Sequence, residues 1–528
     1  MKLKKYYIFI IIFICFSILL KVDFRLQDDV YCCGDDSDYF MHTETIVEDF
    51  DFDYTNQLGV YEKARYYKEK SAPIGLPGSG LFAVPFMLIG ILVDKLLLNF
   101  FNYELQITNF KLYFYSLSSI FYLLASVALL NKSLKIFKVT FNPYYLLIYF
   151  LGSGVSYFAF ERYSMTHAYE VFSVSLLIFL SGKYFNSNRI DNFLVVSIAF
   201  ISVLGFYVKW VYFYIFLIPL IIKKMFFKNL NRKLYTSPIY LISSTIFIFM
   251  CLVMSENIYG EFTLNPAKIY GTNLVSIAVN NTSENLLYVI DLIKNFIIIL
   301  FTQEFGILWF QPIVFVSTLI VIYNFLKDVL NRKFDFINFI LLFCFAQVYI
   351  IQSMWESSGS SYGLRYIVNL TPLSVIIFYA FKEKLNLKYI SKLLVFLSLF
   401  SFLSTVFFET TPGTQLSLDE TLNSFGEYSR YSQKNYLSGY IQSFFSLDAY
   451  LKIFITSYFG LFSLKSMLMV FNINEINSIF NKLGLPIGNE KFQILLQTAE
   501  EISIVYFLVV IFTILYFVNM IYSHILRK

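Results

Sequence analysis

Charge is scarce in this chain: Asp, Glu, Lys and Arg make up 15% of its 528 residues, against 57% hydrophobic and 20% aromatic. A solvent-wrapped domain carries about a quarter of its residues charged, so this composition excludes an ordinary soluble enzyme. A mean hydropathy of +0.63 makes lipid the main solvent instead. Histidine stops at 3 residues and cysteine at 5. No Cys/His spacing of the zinc type occurs, and the adjacent Cys32 and Cys33 cannot readily close a relaxed disulfide on each other. Cys15, Cys251 and Cys344 lie in apolar runs where a small hydrophobe fits. The net charge of +5 gathers in short loops and gives no reason to expect nucleic acid as a partner. No internal repeat of the transporter kind is visible, which weighs against an alternating-access carrier.

Long, nearly uncharged runs are what the sequence has in abundance. About 18 such residues cross the hydrocarbon core as a helix, the open-chain structure that satisfies its own backbone there. Candidates run near residues 6–20, 107–130, 143–160, 166–181, 192–207, 210–222, 238–254, 307–325, 336–353, 364–381, 389–408 and 502–521. The expected fold is therefore an all-α polytopic membrane protein with about twelve transmembrane helices. Residues 76–101 are ambiguous, because Pro77, Gly78, Gly80, Pro85, Gly90 and the pair Asp94-Lys95 interrupt the run. Loop charge favours a segment that dips in or lies at the interface as a juxtamembrane helix. If it crossed, the loop with Lys132, Lys135 and Lys138 would fall outside, whereas otherwise every basic loop lies inside. Both termini are then expected in the cytoplasm of a cell (inner) membrane protein. Residues 1–20 resemble a retained signal anchor, since no small-residue cleavage site follows them.

This topology leaves three stretches on the non-cytoplasmic face: 21–106, 255–304 and 409–501. The chain accordingly divides into a transmembrane module, 1–408, an outer-face region, 409–501, and a final helix with its tail, 502–528. The first stretch holds Gly34-Asp35-Asp36-Ser37-Asp38-Tyr39, an acid-rich helix from Ser37 to Glu48, and the alternation Asp49-Phe50-Asp51-Phe52-Asp53, which suggests a short extended piece on the membrane. In the last stretch, residues 450–471 are amphipathic, as for an interfacial helix.

Candidate chemistry collects at span ends on that face. Asp36 and Asp38 fit a helix-capping cluster as well as a site, and Asp35 is the sharper candidate. Glu161, Arg162 and His167 lie between two spans, while Lys209 lies between two others with almost no loop. Trp355, Glu356 and Arg365 surround a glycine- and serine-rich loop. A cation at a span end is commonly a snorkelling anchor. Lys209, however, sits on the face that positive-inside orientation keeps poor in lysine, and it calls for an anion such as a lipid phosphate. The fork of Arg365 suits phosphate oxygens as well.

Together these residues resemble the C-type, polyprenyl-phosphate-sugar-dependent glycosyltransferases, which include protein O-mannosyltransferases and lipid A aminoarabinose transferases. The resemblance rests on the acidic pair Asp35-Asp36 with Tyr39 opening the first outer loop, Pro73-Ile74-Gly75-Leu76-Pro77 later in it, Thr166-His167-Ala168, and the block Trp355 to Pro372 with Gly359-Ser360-Ser361-Tyr362-Gly363-Leu364-Arg365-Tyr366. It covers about the first 370 residues. Asp36 stands where Glu is usual. His167 replaces an acid at the head of the fourth span, so a second carboxylate would come from Glu161. Residues 409–501 match no pattern of the family.

The resemblance implies a polyprenyl-phosphate sugar donor, an acceptor hydroxyl on a glycan, lipid or protein, and inversion at the anomeric carbon. Asp35 would be the general base, and Lys209 and Arg365 would hold the donor phosphate. Asp36, Glu161 and His167 would orient the acceptor or a divalent cation, with Tyr39, Trp355 and Tyr362 in support. A flippase for lipid-linked sugars also needs many spans and phosphate-binding cations, and would place acids within its spans. A polysaccharide polymerase would rely on paired arginines in large outer loops.

Overall fold

The computed structural model describes residues 26–27, 30–31, 35–58, 66–68, 70–101, 109–160, 162–187, 189, 191–227, 234–265, 285–301, 306–354, 364–407, 458–482, 496 and 499. The expected first and last spans, the Cys32-Cys33 pair and the polar stretch 408–450 lie outside them. Described strands are confined to two short hairpins, Leu26–Gln27 with Val30–Tyr31 and Tyr66–Tyr67 with Lys70–Ser71. The rest is helical: α1 (Asp35–Glu44, continued by a π turn Thr45–Asp49), α2 (Gly78–Phe101), α3 (Asn109–Ile136), α4 (Pro143–Leu151), α5 (Val155–Phe160), α6 (His167–Asn186) and α7 (Asn192–Val208). Then come α8 (Ile218–Phe226), α9 (Pro238–Tyr259), α10 (Asn285–Phe301), α11 (Pro312–Leu330), α12 (Phe336–Met354), α13 (Thr371–Lys382), α14 (Lys388–Phe407), α15 (Tyr458–Leu468) and α16 (Ile473–Lys482).

Six of the described helices have stretches long and apolar enough to cross a membrane: Gly78–Leu96, Phe110–Ile136, His167–Asn186, Pro238–Tyr259, Pro312–Leu330 and Phe336–Ser353. Proline starts several helices, at Pro143, Pro219, Pro238, Pro312 and Pro372, where its missing N–H is one the helix cannot use anyway. Buried serines inside the spans bond back to their own helix, as Ser126 Oγ does to Tyr122 O (2.7 Å) and Ser173 Oγ to Tyr169 O (2.8 Å). That bond satisfies a hydroxyl in a dry interior and leaves little bulk between neighbouring helices. On α9, Leu241, Ile242, Ile246, Phe249 and Met250 are exposed, an apolar face suited to lipid rather than water.

Several elements differ from their expected form. Residues 143–160 are two helices rather than one, because the chain breaks at Gly152, whose position lies against the backbone and side chain of Ser398. Residues 213–217 form a 3₁₀ turn before α8, and 365–370 form another before α13. A stretch expected to be an outer loop contains α10, which packs through Phe296 on Tyr349 of α12 (5.2 Å between rings) and through Phe301 on Phe315 of α11 (5.5 Å). The Asp/Phe alternation at 49–53 is not extended. Asp51 Oδ1 accepts from Asp53 N (3.0 Å), Asp53 Oδ1 accepts from Thr55 N (3.0 Å), and Phe50 takes a left-handed backbone, φ +59°. Short acids bonding to N–H groups two residues on favour turns over strand.

The ambiguous segment is an unbroken 24-residue helix, α2, although Pro85 removes one of its hydrogen bonds. Its partners show where it runs. Gly78 lies against the backbone of Tyr207 and Val208, at the end of α7. Tyr122 Oη then donates to Phe82 O (2.9 Å), and Asp94 Oδ2 accepts from Lys111 N (3.1 Å). Thus α2 lies antiparallel along the first half of α3 only, with Leu88, Ile89, Leu92, Leu96 and Leu98 exposed.

The other end of α3 belongs to the basic loops. Phe137 stacks on Phe226 (4.2 Å between centroids), and Thr140 Oγ1 donates to Glu383. Lys138, Lys224, Asp335, Asn338, Glu383 and Lys384 line a cavity of about 350 Å³ there. The described parts of the basic loops thus gather at one end of the bundle, and the candidate site lies where α6 begins and α7 ends, at the opposite end of α6.

Candidate functional site

Helix α1 brings the acidic cluster to the loop before α6. Asp35 is its first residue, and its side chain lies outside the described atoms, as do Glu161, Trp355, Glu356 and Tyr362. Asp36 is fully buried. It forms an ion pair with Arg162, and Ser164 Oγ donates to its Oδ1 (2.9 Å). Asp38 Oδ2 accepts from Ile74 N (2.9 Å), tying α1 to the proline-glycine loop ahead of α2. One turn further, His42 lies between Tyr54 Oη (2.7 Å from Nδ1) and Gly75 O, which accepts from Nε2–H (2.7 Å). Burial of this ring lowers its pKa from 6.5 to about 4, against a smaller opposing effect of the Gly75 bond.

Tyr39, on the same helix, reaches the cations. Lys209 Nζ donates to Tyr39 Oη (3.4 Å) and lies 5.4 Å from the centre of the Tyr366 ring. The lysine caps the C-terminal end of α7, where the helix dipole favours positive charge. Arg365 approaches the same ring, with its guanidinium carbon 5.0 Å from the centroid and one N–H donated to Tyr366 Oη (3.2 Å). Tyr366 itself is fixed at its backbone: its N–H donates to Gln352 Oε1 (3.1 Å), and its carbonyl accepts from Tyr212 Oη (3.0 Å).

The residue before Arg365 is under strain. Leu364 is buried with φ +61°, a conformation that disfavours a side chain by roughly 1–2 kcal/mol. Gln311 Nε2 donates to its carbonyl (3.2 Å), and the Ile367 N–H does so too (3.0 Å). A strained turn pinned from two sides fixes where Arg365 starts, which is where such strain tends to persist.

His167 completes the group. It is 1% exposed, its ring 6.5 Å from that of Tyr366 and 4.3 Å from that of Phe158. Its Nδ1 is 3.2 Å from Glu170 Oε1, one turn along α6, and Thr166 Oγ1 donates to Glu170 Oε1. Both ring nitrogens of His167, and Glu170 Oε2, are buried without a hydrogen-bond partner among the described residues.

Of the residues singled out in the sequence, Tyr39, Lys209, Arg365 and His167 come together around Tyr366, and Asp36 sits beside them on α1, bound to Arg162. Sequence reasoning missed Glu170, which supplies a second carboxylate at the head of α6. Its spacing of three from His167 puts both on one helix face and would have pointed to it. Arg162 was noted only as a span-end charge and Tyr366 only within the block from Trp355 to Pro372, and neither was given a role. Among the described residues no three His, Cys, Asp or Glu side chains gather to hold a metal ion. No protein-family model matches this chain, and neither a curated protein nor a solved structure does so.

Proposed function

We propose that the chain is a C-type membrane glycosyltransferase that moves a sugar from a polyprenyl-phosphate donor to an acceptor hydroxyl of a glycan, lipid or protein. The observation that carries this reading is the convergence of Lys209 and Arg365, remote in sequence, on one aromatic ring beside the acid-bearing helix α1. Two cations on a rigid tyrosine framework suit a phosphate monoester, with the guanidinium fork gripping two oxygens and the ammonium adding a point charge.

The chemistry follows from that placement. Asp35 takes the proton of the acceptor hydroxyl as its oxygen attacks the anomeric carbon, and the bond to phosphate breaks on the opposite face through an oxocarbenium-like transition state. Lys209 and Arg365 offset the charge that grows on the departing phosphate. A phosphate leaves readily without a general acid, so a single base is enough. Asp36, bound to Arg162 and Ser164, fixes the first turn of α1 and with it the position of Asp35.

The same reading takes the basic loops as cytoplasmic and puts the site on the outer face. The full chain then has about twelve crossings with both termini inside, and α2 serves as a juxtamembrane wall of a lipid-facing cavity. A lipid-linked-sugar flippase is the second reading, and the buried Glu170 in the first turn of a span favours it. The two separate on chemistry. Purified protein supplied with a panel of polyprenyl-phosphate sugars should release polyprenyl phosphate, and Asp35→Asn should abolish that release. Folded protein that binds these lipids but releases nothing from any donor would sink the transferase.

A further inference from the structure

We infer that His167 and Glu170 form a proton-linked third arm of the phosphate site: His167 binds a phosphate monoester in its charged form, and the carboxylate of Glu170 beside it supports that charge. The inference rests on the reading of Lys209 and Arg365 as phosphate ligands, and it adds a residue pair and a pH dependence that this reading does not contain.

The geometry is that of a histidine beside a carboxylate at ion-pair distance. The two side chains are three residues apart on α6 and lie 3.2 Å apart at Nδ1 and Oε1. A carboxylate that close attracts the charged ring, although it makes no hydrogen bond to Nδ1. The far nitrogen, Nε2, is left buried with no partner among the described residues. A buried polar atom without a partner is destabilising, so its persistence in a tightly packed core marks a position completed by something else. The ring is held between Phe158 and Tyr366 and cannot easily turn Nε2 elsewhere.

The surroundings determine what that something is. Among the described residues, the charged and titratable groups around the imidazole are Glu170 on its own helix, Lys209 from the end of α7, and Arg365 and Tyr366 from the 3₁₀ turn, with Tyr212 beside Glu170. The two cations beside the imidazole favour an anion as its partner. When a phosphate arrives, its charge offsets both cations, and the imidazolium gains an anion on each side, Glu170 at Nδ1 and a phosphate oxygen at Nε2. Binding thus takes up a proton from solvent, and the extra bond to Nε2–H is of the strong, charge-assisted kind. No covalent step is involved.

The test compares proteins rather than pH values alone, because phosphate itself changes charge between pH 6 and pH 8. Farnesyl phosphate binding is measured by calorimetry in detergent at pH 6 and pH 8 for wild type, His167→Gln and Glu170→Gln, with inorganic phosphate as a second probe. The ligand's own ionisation is common to all three and drops out of the affinity ratios. Wild type should bind farnesyl phosphate about tenfold more tightly than His167→Gln at pH 6, with the ratio approaching one at pH 8. Glu170→Gln, which keeps the imidazole, should lose most of the pH 6 advantage. Inorganic phosphate showing the same ratios at weaker affinity assigns recognition to the phosphate group, and its failure to bind assigns a share to the prenyl chain. A ratio equal at the two pH values, or His167→Gln binding as tightly as wild type at pH 6, overturns the inference. Should His167→Gln not fold, Glu170→Gln binding like wild type at both pH values does so alone. Sugar transfer with pH-independent ratios would leave the transferase standing without this arm. The expected pH-dependent ratios with no transfer from any donor would do the reverse.

Discussion

Two buried side chains of α1 show how single residues hold the site in place. His42 is neutral in the folded protein because burial lowers its pKa from 6.5 to about 4. The unfolded chain therefore binds a proton at a higher pH than the folded one does. The stability this ring contributes is complete above about pH 6.5 and is lost as pH falls toward 4, by about 3 kcal/mol in all. The hydrogen-exchange protection factors of residues 42–54 should fall between pH 7 and pH 5 in wild type, and His42→Gln should flatten that dependence; an equal fall in both proteins would exclude His42 as its source. Asp36 is the second case, a fully buried carboxylate whose ion-pair partner is Arg162. Replacing one member of such a pair is worse than replacing both, since a charge is then left in a dry interior. Arg162→Ala should lower stability by about 3–5 kcal/mol, and adding Asp36→Asn should recover part of it. Thermal unfolding of the two single variants and the double variant in detergent measures that coupling, and strictly additive losses would rule it out.

At the scale of elements, the close contact of α2 with α7 links an apolar helix to the phosphate cations. A Cβ on Gly78 would meet the Val208 Cα at 2.6 Å, backbone that cannot swing aside. Val208 immediately precedes Lys209, so Gly78→Ala should displace the lysine along with the helix end. Farnesyl phosphate affinity should drop at least as much as for Lys209→Gln, together with thermal stability, whereas affinity unchanged from wild type would show that the contact can relax. Much at this scale was legible in the sequence. The runs that became α3, α6, α7, α9, α11, α12 and α14 were evident from length and apolarity, which are local properties. The acidic helix start was evident as well, and so were Lys209 and Arg365, because cations are conspicuous where lysine is otherwise sparse. The break at Gly152 was not legible, since it depends on Ser398 coming close from a distant helix. Helix α10 was hidden by Asp291 and Lys294 within its apolar run, and Glu170 by the assumption that a second acid would stand in a loop.

For the whole molecule, the decisive question is which ends of the helices share a side of the membrane. Hydrophobicity alone assigns α2 to the crossing class, since Gly78–Leu96 is long and apolar enough. Packing points the other way. Helix α2 starts beside the end of α7 and leaves along the first half of α3, while the end of α3 meets α8 and the basic loops. A crossing α2 would carry Lys95 to the face opposite Asp51 and, by reversing every later span, would bring Asn331, Lys224 and the lysine-rich loops to the face of Asp51. A helix at the interface keeps Lys95 on the side of Asp51 and the site. Lys95, Asp51 and Asn331 are all exposed, so a single cysteine at each, on a background without the native five, can be labelled from either face with a membrane-impermeant maleimide. The structure leads to labelling of positions 51 and 95 from one face and of 331 from the other. If 331 instead labels with 51 and 95 labels from the other face, α2 crosses, every later span reverses relative to Asp51, and the acids of α1 no longer share a face with Lys209 and Arg365, which would separate the proposed base from the phosphate it serves.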